Sequence, residues 1–174
     1  MKTNYILLFA VLLLIGCNKQ PNSETADQPV VTKNKKAKEH PEAAFVNQQI
    51  SNLQYQIEAF KIGKEKVANP ELKKYLSDHL QDLETLQNDY KSAAAANQID
   101  MQPISEELQK DVYKLAIADT KGYDKVFLLY YKDFLSKAMD QIAETKTTEP
   151  AFTTLKNKHG NILYEQKLYF DVLK

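Results

Sequence analysis

The chain has no arginine, a single cysteine and four glycines among 174 residues, and its longest apolar run ends after about 11. Each scarcity removes a class of function. Without arginine there are no bidentate guanidinium contacts to phosphate or guanine. All 23 basic residues are lysine, and 23 acidic residues balance them to a formal net charge of zero. Together with the export signal below, this sets nucleic-acid binding aside. One cysteine cannot form an internal disulfide, and four glycines leave little loop machinery. No glycine-rich phosphate loop, nucleophile elbow or Ser-His-Asp order is present, so no enzyme is expected. The apolar run is also too short to cross a membrane, which takes about 20 residues.

What is there begins with Lys2, the apolar run Tyr5 to Ile15, the small Gly16 and then Cys17. A basic start, a short apolar middle and a small-residue boundary describe a secretory signal. Leu14-Ile15-Gly16-Cys17 also resembles the bacterial lipobox. That resemblance implies a diacylglyceryl group on the Cys17 thiol, cleavage before it and usually acylation of the new amino terminus. Membrane lipid is then the first partner, because two or three chains anchor firmly where one holds only marginally. The mature chain would keep no free thiol for disulfides or thiolate metal sites. An ordinary export signal with an incidental thiol is the alternative. Asn18, in place of the aspartate that retains lipoproteins at the inner membrane, points to the outer membrane, facing periplasm or cell surface.

The expected organisation is a signal peptide over 1–16, a lipidated cysteine with a tether over 17–41, and one domain over 42–174. The tether holds three prolines, many small polar residues and a Lys33, Lys35, Lys36, Lys38 cluster, with no apolar period. It cannot bury enough surface to offset its ordering entropy. About 24 coil-like residues reach roughly 25–30 Å. The lysine cluster reads as a solvated linker or as a touch on anionic headgroups.

Periodicity organises the rest. A first segment carries Val46, Ile50, Leu53, Ile57, Phe60 and Val67, with Lys64 filling one slot, and ends at Asn69-Pro70, which caps and starts the next helix. The second carries Leu72, Leu76, His79, Leu83, Leu86 and Tyr90. Ser105 caps a short helix with Leu108, Val112, Leu115 and Ile117. Gly122 interrupts, and a long segment follows with Tyr123, Phe127, Tyr130, Phe134, Ala138 and Ile142. Pro150 opens the last, with Phe152, Leu155, His159, Ile162, Gln166, Tyr169 and Leu173. The expected fold is all-α: an antiparallel up-down-up-down four-helix bundle with one short extra helix before the third long one.

His79 and His159 stand where leucine is usual. Each lies nine residues after a helix-opening proline, Pro70 or Pro150. In strict up-down alternation the second and fourth long helices are parallel, which would set both imidazoles in one layer. With Met139, Asp140 or Glu58 they offer ligands for a divalent metal or Cu(I), although Glu58 and Asp140 fall off the stripes. The other reading is two partly buried imidazoles bonded to each other, to Tyr130 or to water. No other cofactor is implied.

Lys66 to Leu86, "KVANPELKKYLSDHLQDLETL", resembles the helix junction of a family of exported bacterial ferritin-like four-helix proteins, catalogued as a domain of unknown function and often labelled predicted outer-membrane protein. Asn69, Pro70, Glu71, Leu72, Lys73, Asp78 and His79 match its Asn-Pro-Glu-Val-Lys turn and following Asp-His pair. Tyr123-Asp124 with Phe127 echoes its Phe-Asp-x-x-Tyr start, and His159 approximates its last histidine. The third helix has Asp133, Phe134 and Leu135 where the family carries histidine, so a three-histidine site would be incomplete. The resemblance implies a ferritin-like bundle more than an activity. The functional expectation is a lipid-anchored envelope protein with a binding or structural role, touching membrane lipid and an envelope protein. The alternative is a copper, zinc or iron binder or sensor using His79 and His159.

Overall fold

A computed structural model describes residues 40–173, all within one compact unit. Cys17, the lipobox and the tether to residue 39 lie outside the described residues. Five helices make up the described part: α1 (Ala43–Lys66), α2 (Pro70–Ala96), α3 (Glu106–Ile117), α4 (Tyr123–Glu144) and α5 (Pro150–Val172). No strand occurs among the described residues, so the fold class is all-α as expected.

The helix starts follow local chemistry. The Asn69 side-chain oxygen accepts from the backbone N–H of Glu71 at 2.9 Å and Leu72 at 3.1 Å, with Pro70 in the first helical position. Ser105 accepts from the Leu108 N–H. Gly122 takes a left-handed φ of 77° just before α4, a conformation that favours glycine. Asp124, in the first turn of α4, accepts from Ala68 N–H at 2.7 Å and Asn69 N–H at 2.9 Å, tying α4 to the α1–α2 turn.

Side-chain pairs fix the helix directions. Phe60 meets Tyr75 while Gln87 reaches the Ile50 carbonyl, so α1 and α2 are antiparallel. Asn52 bonds Gln141 and Tyr55 meets Phe134, so α4 also runs against α1. Tyr131 meets Phe170 and Ile142 faces Gly160, so α5 runs against α4. Tyr75 meets Phe170 and Lys158 pairs with Asp89, so α5 runs against α2 as well. Hence α1 parallels α5, and α2 parallels α4.

Strict up-down-up-down alternation is therefore corrected: the sequence of directions is up, down, down, up. The segment between α2 and α4 carries the chain back along α1. Ser105 N–H donates to Ser51 Oγ near its start, and Lys66 donates to the Ala116 and Ala118 carbonyls near its end. Apolar stripes specify which face is buried. They do not specify the direction of return. A 12-residue α3 covers about 18 Å, and with its extended flanks it spans most of a long helix.

The stripes of α1 and α2 are buried as expected, apart from Lys64 and the half-buried His79. On α3 only Leu115 is fully buried, and Ile117 faces outward. On α4 the core residue is Tyr131, not Tyr130. On α5 Leu163 and Phe170 point inward, with Ile162 and Tyr169 at the margin. Both differences are one-residue shifts, which a turn of 3.6 residues produces against a strict pattern of threes and fours. Packing is close at Gly63, where a Cβ would lie 2.7 Å from Leu76 Cδ1 and 2.8 Å from Phe127 Cε2.

Candidate functional site

The two histidines occupy different environments. His159 is fully buried on α5, its Nε2 3.0 Å from Gln56 Nε2 and its ring edge-on to Tyr90. Burial pushes its pKa down to about 3, so the imidazole is neutral. His79 is half-buried on α2. Its Nδ1 donates to the Tyr75 carbonyl at 2.9 Å, and its ring stacks on Tyr75, which in turn stacks on Tyr169. Tyr90, the α2 residue beside His159, is 11 positions beyond His79, or about 16 Å along the helix.

The expectation of a shared layer is thus overturned. Its cause is the reversed direction of α5: equal distances from Pro70 and Pro150 are counted from opposite ends of the molecule. The other suggested ligands do not gather either. Glu58 accepts from Gln54 at 2.9 Å, Met139 packs half-buried against the core, and Asp140 is exposed. Among the described residues no group of three His, Cys, Asp or Glu side chains could hold a metal ion.

What the fold does bring together is a buried chain of neutral polar groups. The Tyr131 hydroxyl lies 3.3 Å from Gln56 Oε1 and 3.1 Å from Gln166 Oε1, and Gln56 continues to His159. A phenol carries one proton, so it donates to one glutamine and accepts from the other, whose amide turns its NH₂ toward it. The relay Gln166–Tyr131–Gln56–His159 therefore has two possible polarities. Burial raises the Tyr131 pKa well above its usual value, which keeps the phenol protonated in both. His159 Nδ1 and the second terminal atom of the Gln166 amide have no partner within the protein. Each unpartnered buried polar atom costs about 1–3 kcal/mol, so this chain is a costly feature for an interior that leucine could fill.

Two clefts lie along the α1–α4 seam, apart from these four residues, and share Gln48 and Gln141. One, of about 160 Å³ beneath α3, carries Ser105, Asp111, Asp133 and Lys137. The other, of about 440 Å³, opens where α1 starts and α4 ends, and Glu42, Gln49 and Lys146 line it. Between them Gln48 donates to Asn52 and Asn52 donates to Gln141, each at 2.9 Å.

Reasoning from apolar stripes missed Glu42, Gln49, Gln56 and Gln87. The signal is present in Asn47 to Gln56, "NQQISNLQYQ", where Gln49 and Gln56 fall seven apart and in line with Gly63. Amides at heptad spacing on a buried face mark a polar seam. Comparison with known proteins adds no name to this arrangement: no family model matches the chain, and neither a similar curated protein nor a similar solved structure was found.

Proposed function

We propose that this chain is a lipid-anchored protein of the bacterial envelope, held at the outer membrane through acylated Cys17, whose helical body acts by binding or structural contact and not by catalysis. The observation that carries the reading is Leu14-Ile15-Gly16-Cys17 at the end of a short apolar run. No described helix is long and apolar enough to cross a membrane. The interior chemistry supports a binding body. In the Gln166–Tyr131–Gln56–His159 chain the neutral imidazole faces the Gln56 amide, and burial raises the pKa of the Tyr131 phenol, so the groups there are neutral hydrogen-bonding partners.

The resemblance to exported ferritin-like proteins gains support from connectivity. One long crossover joining two antiparallel helix pairs is the pattern of ferritin-like bundles, whereas plain up-down bundles have only short turns. This bears on ancestry and shape, not on activity.

The test is Cys17→Ala in a bacterial host. The wild type should incorporate labelled palmitate and sediment with outer membranes. The variant should lose the label and move to the soluble fraction. A variant that stays on the membrane without label defeats the anchoring.

A further inference from the structure

We propose that the cleft between the start of α1 and the end of α4 is a binding site for an extended peptide bearing a free amino terminus, engaged over about three residues. The proposal rests on the reading that the body acts by binding, and is independent of the anchor.

Two unsatisfied groups carry it. Gln49 lines the cleft with no solvent exposure, and neither its amide oxygen nor its amide nitrogen has a partner within the protein. Its neighbours along the seam, Gln48, Asn52 and Gln141, bond one another and leave it out. Glu42 also lines the cleft and is 6 % exposed. Its Oε1 accepts from Thr148 N–H at 2.5 Å, Thr148 Oγ1 at 2.9 Å and Glu149 N–H at 2.9 Å. Three donors on one oxygen fix the carboxylate and cap the approach to α5, while Oε2 has no partner. The carboxylate is preorganised with one oxygen to spare.

The chemistry of the missing partners follows. A buried carboxylate oxygen calls for a charged donor, and an ammonium gives the strongest such bond. An amide that needs both a donor and an acceptor is satisfied by another amide. Gln49 lies seven residues after Glu42, two turns along the same face, or about 10 Å at 1.5 Å per residue. An extended peptide advances about 3.3–3.6 Å per residue, so an amino terminus at Glu42 places a backbone amide three residues on beside Gln49. Glu42 and Glu144 against Lys146 leave the lining with one net negative charge, which also suits a cationic end.

The experiment titrates the full chain, in detergent micelles, with tri-alanine amide and with its N-acetylated form, followed by calorimetry and by amide chemical shifts. Saturable binding in the millimolar range or tighter is expected, with shifts at Glu42, Gln49 and Thr145. Acetylation, Glu42→Gln and Gln49→Leu should each weaken binding about tenfold or more. Gln49→Leu replaces the unpartnered amide by an apolar side chain of similar volume, so its unfolding curve should match or exceed the wild type. A folded Gln49→Leu that binds as well as wild type, equal binding of the acetylated peptide, or no saturable binding to the wild type overturns the site. A wild type that ignores the peptide yet remains membrane-bound through Cys17 leaves the anchoring reading standing.

Discussion

The two ends of the core share the same four long helices and differ in what fills them. Toward the α1–α2 turn, Phe60, Phe127 and Phe170 surround the Tyr131 ring at centroid distances of 4.7 to 5.4 Å, and Gly63 lets Leu76 and Phe127 close in. Toward the α4–α5 turn, Gln49, Gln56, His159 and Tyr90 interrupt the apolar packing, and both atoms of the Gln49 amide and His159 Nδ1 lack partners, whereas the unpartnered polar atoms of the first end include the Tyr123 and Tyr169 hydroxyls and part of the Gln166 amide. The first end is a packing solution that any bundle needs. The second spends stability on polar groups that packing does not require, so it is the end where function is to be sought. Breaking that contrast takes substitutions with opposite expected effects at the two ends.

The largest effect is expected at the aromatic end. Phe127→Ala removes a fully buried ring that touches Tyr131 and Phe170, and should cost about 3–5 kcal/mol in urea unfolding. A loss below about 1 kcal/mol would mean that this end is not the stabilising half.

His159 gives the next effect, through acid. Its folded pKa of about 3 lies below the ordinary 6.5, so the unfolded chain binds a proton that the folded chain refuses. This contribution is complete above about pH 6.5 and falls toward pH 3 by up to about 1.4 kcal/mol per pH unit. His159→Leu should remove roughly 2–3 kcal/mol of the acid sensitivity between pH 6.5 and 4.5, whatever its stability at neutral pH. Carboxylates titrate in both proteins, so the difference between the two pH profiles isolates the imidazole. Identical profiles would show that water reaches His159 and that the polar end is not sealed.

Much of the aromatic end was legible in the sequence, and most of the polar end was not. Leu53, Phe60, Leu76, Leu83 and Phe127 announce themselves by spacing, because apolar burial is non-directional and needs only the correct face. The caps Asn69 and Ser105 were equally readable, since their reach is three residues or fewer. Direction was not. The return of the chain between Asn97 and Gly122 depends on long-range contacts such as Lys66 with Ala118, and without them equal spacing from Pro70 and Pro150 suggests one layer for two histidines that opposite helix directions separate. Gln49 and Gln56 are hard to read as core because glutamine on a helix is ordinarily solvated. Only their heptad spacing, read against the neighbouring leucines, betrays burial.

Gly63→Ala sharpens the contrast further. The added methyl would meet Leu76 and Phe127 at 2.7 and 2.8 Å, closer than carbon atoms tolerate. Gains in helix propensity of about 1 kcal/mol oppose a packing penalty of about 1–3 kcal/mol, so a net loss of up to about 2 kcal/mol in urea unfolding is expected. Combining it with Phe127→Ala should remove part of the penalty, since one of the two groups that resist the methyl is gone and Leu76 can move into the space it leaves. Simple additivity would mean that the contact at Gly63 is relieved elsewhere.

The smallest effect, and the one with the opposite sign, belongs to Gln49→Leu. Both polar atoms of Gln49 are buried without partners, and leucine has similar volume with nothing to satisfy. Desolvation is relieved and no hydrogen bond within the protein is lost, so the variant should be stabilised by up to about 1 kcal/mol. Glutamine at this position would then be a residue kept against stability. A destabilisation of about 1 kcal/mol or more, at neutral pH and with unchanged helix content, would instead mean that ordered water satisfies the amide, and that the polar end is as well packed as the aromatic one.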